Sequence, residues 1–278
     1  MSDGTDLVYV YDGSFEGLMC CVFESYEQKE IPSIIQPIDA QQLLFYSVKW
    51  IQTDGHKSDR VFNSIPLKIS PQAQELVKLG FLTCNLHKEM LIFNFLRLGY
   101  SNGSKVMSML TDDTVCSLRK AVRGLMSESH MFKGFVRFSV FDKALVAVIE
   151  PKNFVLPLIS KHFCDRFRNE SFMIYDKTHG MALIYQSRKV EFMFVNELIL
   201  PEVDQTEAEC RRLWKQFYKT IAIKDRKNLK CRMTLMPKRY WGHLTELDYN
   251  DNQERPREMV QRPVAYRRVL DDKPFNSF

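Results

Sequence analysis

The hydrophobic pattern near the start of the chain predicts a strand followed by a helix. Leu7 to Tyr11 (LVYVY) is a β-type run, and Asp12–Gly13 breaks it. Apolar residues then recur at helical spacing from Phe15 to Tyr26, which predicts a helix with one apolar face that ends near Ile31–Pro32. A strand, a tight turn and a helix can bind phosphate, but neither the GxGxxG motif nor the Walker motif is present. We interpret the segment as structural packing.

The pattern becomes helical between about residue 57 and residue 130, after a predicted strand from Leu43 to Gln52. Ser70–Pro71 supplies a cap and a first-turn proline for one helix. Lys88 to Leu98 is predicted to form a second helix, and Thr111 to Asp113 caps a third. These elements predict a helical insert that serves as scaffold.

Residues 134–195 form the predicted centre of a sheet. Short apolar runs are separated by turn residues, and Asn153 can cap a helix between the second and third strands. The predicted strands are Phe135–Phe141, Ala144–Glu150, Ser171–Asp176, Met181–Gln186 and Lys189–Val195. The order β-β-α-β-β-β with short connections favours a mostly antiparallel sheet, with the N-terminal strand at its edge. The predicted fold class is α+β, with the helical insert and a C-terminal basic amphipathic helix.

The basic helix begins after Asp204, which can cap it, and the helix with its following loop occupies residues 204–241. Its apolar residues predict a buried stripe, formed by Leu213, Trp214, Phe217, Tyr218 and Ile221. The composition becomes polar towards the C-terminus. We therefore predict a single α+β domain over residues 1–248 and a flexible tail over residues 249–278.

Charge is concentrated in this C-terminal region. Between Gln205 and Trp241 there are 11 Lys and Arg residues against 3 acidic ones, a net charge of +8, whereas the whole chain carries only +5. Cations interleaved with aromatic residues suit contact with phosphates. Two alternatives stay open, a solvated basic surface and a site for an acidic protein partner. The candidate nucleic-acid-binding residues are Arg211, Arg212, Lys215, Lys219, Lys224, Arg226, Lys227, Asn228, Lys230, Lys238, Arg239, Tyr240 and Trp241.

Two of these candidates are aromatic. The rings of Tyr240 and Trp241, beside Lys238 and Arg239, could stack on exposed bases. They could equally be buried anchors of the core.

Composition excludes several other classes. The chain has 45% apolar and 26% charged residues, and no apolar run approaches the ~18 residues that a membrane helix needs. The N-terminus has no basic segment followed by an apolar run, so we expect a cytoplasmic protein without membrane contact. Seven scattered cysteines form no CxxC pair and no zinc-type cluster. We expect neither a metal nor a cofactor.

Two pairs of side chains could carry chemistry. His162 and Arg166 lie one helical turn apart and could grip a phosphate or a carboxylate, although His162 also fits a partly buried core position. Glu128 and His130 could be an acid/base pair, or simply the end of a helix.

The remaining catalytic candidates are carboxylates at predicted strand ends, Asp12, Glu150 and Asp176. Turns also favour Asp at such positions, and no Ser/His/Asp or Cys/His set can be assembled from spacing. Whether the protein is an enzyme stays open. We take Asp12, His162, Arg166 and Asp176 as the catalytic candidates.

Six blocks of the sequence resemble a bacterial family of unknown activity whose members are described as DNA-metabolism proteins. The blocks are DGSFEGLMCCVFES, ESHMFKGFVRF, IEPKNFVLPLISKHFCDRF, YDKTHGMALIY, LWKQFYKTIAIKDRKN and MPKRYWGHLTE, and they cover roughly residues 7–246. Members of that family are often encoded beside a radical S-adenosylmethionine (radical SAM) protein. Longer members carry a uracil-DNA-glycosylase-like domain, of which this sequence has no motif.

The resemblance implies an accessory role in DNA repair or modification, with a radical SAM partner supplying the chemistry. It transfers no catalytic residue. Two alternatives remain, an enzyme acting on a nucleotide or damaged base, and an interaction scaffold with no nucleic-acid contact. Because KDRKN and MPKRYW are the most specific blocks, we expect the loop after the basic helix to be the main binding element. The candidates within the blocks are Asp12, His162, Arg166, Asp176, Arg226, Asn228, Tyr240 and Trp241.

Overall fold

The computed structural model describes residues 7–38, 47–141, 144–201, 204–223, 226 and 228–247. They divide into two compact units, one reaching Met126 and one starting at Ser127. The single domain expected over residues 1–248 stays a prediction. The predicted tail over residues 249–278 lies outside the described residues, as does the Asp142–Lys143 connection.

A three-stranded parallel sheet organises the first unit. Its central strand is β1 (Leu7–Tyr11), which pairs in parallel with β2 (Ile34–Pro37) and with β3 (Ser47–Trp50). Helix α1 (Phe15–Glu27) connects β1 to β2, as a parallel pair requires. The sequence prediction that the N-terminal strand lies at the edge of the later sheet is therefore wrong. It has a sheet of its own, where β2 and β3 cover both of its edges.

Helices follow this sheet over the range predicted for the insert. Helix α3 begins as its sequence predicts, because Ser70 Oγ accepts a hydrogen bond from the backbone N–H of Ala73 (3.1 Å) and Pro71 occupies the first turn. The helices are α2 (Gly55–Lys68), α3 (Pro71–Phe81), α4 (Lys88–Asn102), a 3-10 helix (Gly103–Ser108) and α5 (Asp113–Phe135), whose residues from Ser127 belong to the second unit.

The second unit contains a five-stranded sheet in sequential order. Its strands are β4 (Ser139–Phe141), β5 (Ala144–Ile149), β6 (Phe172–Asp176), β7 (Met181–Gln186) and β8 (Lys189–Phe194). Helix α6 (Leu156–Arg166) connects β5 to β6, and these two strands are parallel, whereas the other neighbouring pairs are antiparallel. Across the described residues the sheets are thus of mixed orientation, not mostly antiparallel. The α+β class is confirmed.

The second sheet fixes the place of α6 and of two carboxylates. Aromatic rings of Phe138, Phe163 and Phe172 meet edge to face, with centroids 5.6–5.8 Å apart, and hold α6 against the sheet. Because β5 and β6 are parallel, their carboxyl ends lie at the same edge. Glu150 and Asp176 therefore lie at one edge of the sheet. Within the described ranges, no helix has the length and apolarity needed to cross a bilayer.

Candidate nucleic-acid interface

Helix α7 (Gln205–Ile221) carries the basic face predicted from the sequence. Asp204 is its N-cap, with Oδ1 accepting a hydrogen bond from the backbone N–H of Glu207 over 2.7 Å. Acidic residues occupy its first turns and basic residues its later turns, which suits the helix dipole. The helix ends after Ile221, and a shorter helix, α8 (Leu229–Leu235), follows.

One face of α7 borders an open space of about 580 Å³, which we call the groove. All of its described lining residues belong to α7, so the groove is an exposed helix face and not a cleft between two elements. Arg212, Lys215 and Lys219 follow one another at helical spacings of three and four residues, so they project from the same side. Within the described residues, no ion pair involves any of these three cations. The lining residues are Ala208, Arg211, Arg212, Lys215, Gln216, Lys219 and Thr220.

Arg211 lines the groove but has a structural role. Its Nε donates a hydrogen bond to Glu207 Oε1 over 2.8 Å, and its guanidinium also donates to the hydroxyl of Ser139 on β4. The other Glu207 oxygen accepts the backbone N–H of Val140 at 3.3 Å. These contacts attach α7 to the edge strand, so Arg211 contributes less charge to a ligand than its neighbours do.

The apolar stripe of α7 is not buried, contrary to the sequence prediction. No residue of α7 is buried, and Leu213, Phe217 and Ile221 remain 56%, 52% and 57% exposed. The reason is the polar attachment of the helix to the sheet. Its contacts to β4 run through the polar side chains of Glu207 and Arg211, and they do not bury the apolar side chains.

The second half of the basic segment is only partly described. Arg226 and Lys230 are exposed, whereas Lys224 and Lys227 lie outside the described residues. Asn228 caps α8, its Oδ1 accepting the backbone N–H of Cys231 over 2.9 Å. The loop expected to be the main binding element therefore remains a prediction, and Asn228 has a structural role at a helix start.

The block MPKRYW forms a 3-10 helix (Lys238–His243) that is built into the unit. Arg239 pairs with Glu128 Oε1 at 3.1 Å, and the side chain of Glu128 is only 2% exposed. The Tyr240 ring is buried, with its centroid 5.1 Å from that of Phe132. The indole N–H of Trp241 donates to the Met236 carbonyl over 2.9 Å. These residues have the anchoring role considered from the sequence, and Lys238 is exposed beside them.

Glu128 organises this anchor. Besides Arg239, it accepts the backbone N–H groups of Lys152 (3.1 Å) and Asn153 (2.8 Å), and the Asn153 side-chain amide (2.6 Å). These donors satisfy the hydrogen-bonding capacity of a carboxylate that is buried. His130, its suggested acid/base partner, is exposed. Glu128 therefore joins α5, the loop after β5 and the 3-10 helix.

Glu150 holds the same 3-10 helix at the sheet edge. Its Oε1 lies 3.5 Å from His243 Nε2 and 3.2 Å from Lys177 Nζ. The neighbouring His243 imidazole, together with the Lys177 ammonium, lowers the pKa of Glu150 to about 2 despite partial burial. Glu150 is thus an ionised member of a structural network.

The catalytic candidates Asp12, His162 and Arg166 lie in different settings. Asp12 is in the first unit, where its Oδ1 accepts the N–H and the hydroxyl of Ser14 (2.9 and 2.6 Å). His162 is half-buried on α6, and burial, with the nearby charges of Lys133 and Arg166, lowers its pKa. Arg166 is exposed, its guanidinium 5.8 Å from the centroid of the Phe167 ring.

Asp176 has a partner that the sequence reasoning missed. Its carboxylate is fully buried and accepts the backbone N–H groups of Thr178 and His179, and its Oδ2 lies 2.7 Å from His179 Nδ1. Burial raises the pKa of Asp176, against the lowering effect of His179. The spacing Asp-x-x-His at a strand end was the available signal. Among the described residues, no group of His, Cys, Asp and Glu could hold a metal ion.

Comparison with known proteins gives a family without an assigned activity. Among curated proteins, none matches the chain. A family model described as a domain of unknown function, DUF4130, matches residues 86–246, more than half of the chain. The matched range includes α7, the 3-10 helix and both carboxylates that hold it. The chain belongs to the DUF4130 family of proteins of unknown function.

Proposed function

We propose that this protein is an accessory protein of DNA metabolism that binds nucleic acid on the basic face of α7. The observation that carries the proposal is the groove in which Arg212, Lys215 and Lys219 share one face. Arg212 and Lys219 are seven residues apart, which is about 10 Å along a helix axis. That length spans about three phosphates of one strand at 3.4 Å each.

The wider role rests on the resemblance of the sequence blocks to DNA-metabolism proteins. In this role the protein holds DNA while a radical SAM partner carries out a repair or modification reaction. The concentration of positive charge between Gln205 and Trp241 supports a DNA-holding role of this kind.

The enzyme alternative has less support from the geometry. Asp176 is bonded within its own turn to His179, and Arg166 extends beside Phe167. Neither arrangement offers a base next to a phosphate-binding cation. An interaction scaffold without nucleic-acid contact remains the alternative that the binding experiment distinguishes.

The direct test is the salt dependence of DNA binding. Fluorescence anisotropy of labelled single-stranded and double-stranded oligonucleotides is measured between about 25 and 200 mM salt. Three phosphate contacts give a slope of log K against log salt of about −2.7 for duplex and about −2.1 for single strands. The double variant Arg212→Gln, Lys215→Gln reduces the magnitude of the duplex slope by about 1.8.

A matched control is available on α5. Lys120 and Arg123 are exposed, three residues apart on a helix like Arg212 and Lys215. The double variant Lys120→Gln, Arg123→Gln changes net charge equally and leaves the slope unchanged. Equal effects of the two double variants would assign binding to overall charge instead of α7. No measurable binding to either oligonucleotide at about 25 mM salt would overturn the proposal and leave the scaffold alternative.

A further inference from the structure

Arg211 lines the groove of α7 but is already paired with a carboxylate. It precedes Lys215 by four residues, so the two side chains lie on the same face of the helix. Its side chain is 39% exposed, so a ligand in the groove can reach it. Its Nε donates to Glu207 Oε1 over 2.8 Å, and its guanidinium also donates to the Ser139 hydroxyl. Arg211 thus stands beside the groove with donors already used within the protein.

Glu207 is held in place independently of Arg211. Its side chain is only 10% exposed, and its Oε2 accepts the backbone N–H of Val140 on β4 over 3.3 Å. It also lies in the first turn of α7, where the helix dipole favours a negative charge. These two interactions do not depend on the position of the Arg211 side chain. Glu207 is therefore a fixed acceptor, and Arg211 is the partner that can turn away.

A carboxylate and a phosphate bind a guanidinium in the same way, through charge-assisted hydrogen bonds from its planar set of N–H groups. Glu207 and a phosphate in the groove therefore compete for the same donors of Arg211. The other basic side chains of the groove differ in this respect. Among the residues that the structure describes, Arg212, Lys215 and Lys219 form no ion pair. Of these four cations of α7, three are available to a ligand and one is occupied.

We infer that Glu207 is an intramolecular competitor of phosphate ligands, which withholds Arg211, a fourth phosphate contact, from the groove. The inference rests on the proposed function, because it concerns the same face of α7. A ligand that recruits Arg211 must first break the pair with Glu207. Breaking a partly exposed ion pair of this kind costs the ligand roughly 2- to 5-fold in affinity. Glu207 thus lowers the affinity of the groove and limits its phosphate contacts to three.

The test uses the variant Glu207→Gln in the full chain, with the same labelled oligonucleotides and range of salt concentrations. Glutamine keeps the size of the side chain but removes its charge, and a neutral acceptor holds a guanidinium about half as strongly. Arg211 then contacts a fourth phosphate. The slope of log K against log salt becomes steeper than that of the wild type by about 0.9 for duplex and about 0.7 for single strands.

The matched control is Glu209→Gln, which makes the same change of charge two residues further along α7. Glu209 is exposed, and in the described part of the chain it forms no ion pair. Its substitution leaves the slope unchanged. Adding Arg211→Gln to Glu207→Gln removes the additional slope, because the released contact is then absent. Far-UV circular dichroism checks that each variant retains its helices.

Two results with DNA would overturn the inference. One is an equal change of slope in Glu207→Gln and Glu209→Gln, which would assign the effect to overall charge. The other is a steeper slope that persists in the double variant Glu207→Gln, Arg211→Gln, which would assign the additional contact to a different cation.

Binding of inorganic tripolyphosphate, measured by isothermal titration calorimetry, separates this inference from the proposed function. Glu207→Gln should bind tripolyphosphate roughly 2- to 5-fold more tightly than Glu209→Gln does. If this difference is found in a protein that binds no DNA, the proposed function fails and the competition by Glu207 stands. Equal affinities of the two variants, or no binding of tripolyphosphate to Glu207→Gln, would overturn the inference even if DNA binds.

Discussion

The indole N–H of Trp214 donates a hydrogen bond to Glu246 Oε2 over 3.0 Å, and the same carboxylate is gripped by Arg137. The Arg137 guanidinium donates from Nη2 to Oε1 (2.6 Å) and from Nε to Oε2 (3.2 Å). The side chain of Glu246 is 5% exposed. One buried carboxylate thus fixes α7 to the segment that leads into β4, although 32 residues separate Trp214 from Glu246.

Loss of this carboxylate should destabilise the protein. Glu246→Ala leaves the Arg137 guanidinium without its main partner and frees the Trp214 ring, and we expect a loss of about 2 kcal/mol in the free energy of unfolding. Urea unfolding followed by tryptophan fluorescence measures it. Glu209→Ala, an exposed carboxylate on α7, is the control and should change stability by less than about 0.5 kcal/mol. Equal effects of the two variants would contradict the role of Glu246 in holding Trp214 and Arg137.

Arg239 and Lys238 are neighbours in a basic block but have different expected roles. Arg239 is paired with the buried Glu128, and Lys238 is exposed. Arg239→Gln should lower the free energy of unfolding by about 2 kcal/mol because it leaves Glu128 buried without its cation. Lys238→Gln should leave it within about 0.5 kcal/mol. Chemical denaturation of both variants gives the comparison.

The same pair of variants separates structural from binding roles. Arg239→Gln should leave the salt slope of DNA binding unchanged at temperatures where the variant is folded. A reduction of the slope by about 1, without loss of stability, would instead make Arg239 a phosphate contact.

Stability should fall in acid through Glu150. Its folded-state pKa is lowered from 4.5 to about 2, with the neighbouring His243 imidazole as the largest cause. A lowered carboxyl pKa contributes stability that is fully present above the unfolded value and is lost as pH falls to the folded value. The contribution of Glu150 therefore disappears between about pH 4.5 and pH 2. In Glu150→Gln, unfolding measured by urea titration at several pH values should depend less steeply on pH in this window. An unchanged steepness would contradict the role of Glu150.

The sequence predicted local elements better than their partners. The cap at Ser70, the strand β1 and the basic face of α7 follow from patterns within a few residues. The parallel pairing of β5 with β6 depends on where α6 crosses, which no local pattern states. For the same reason the sequence placed β1 at the edge of the wrong sheet.

The candidate site was predictable where charge alone defines it. Arg212, Lys215 and Lys219 lie in the groove because helical spacing places them on one face. Arg239 and Tyr240 also lie in a basic segment with aromatic residues. In the structure, however, Arg239 pairs with the buried Glu128 and Tyr240 packs on Phe132, and both partners are on α5. The apolar stripe of α7 was predicted to be buried because apolar helix faces are usually covered. Its attachment through Glu246 and Arg211 is a set of polar contacts between residues far apart in the sequence.

Gly17 should tolerate no side chain at the start of α1. A Cβ at this position would lie 2.4 Å from Asp12 Oδ1, 2.8 Å from Tyr11 Cδ2 and 2.9 Å from Thr53 Oγ1. Two of these neighbours belong to the buried β1 strand or the turn directly after it. Gly17→Ala should therefore destabilise the first unit by about 1–3 kcal/mol, as overpacking does.

The control for Gly17 is Gly124 on α5, where a Cβ would meet nothing within 4 Å. Gly124→Ala should raise the free energy of unfolding by up to about 1 kcal/mol, because alanine is the better helix former. In thermal and urea unfolding, the change in the free energy of unfolding should therefore have opposite signs in the two variants, although both replace glycine by alanine. If Gly17→Ala were neutral, Asp12 could move without cost, and the close packing of α1 against the end of β1 would not constrain the turn.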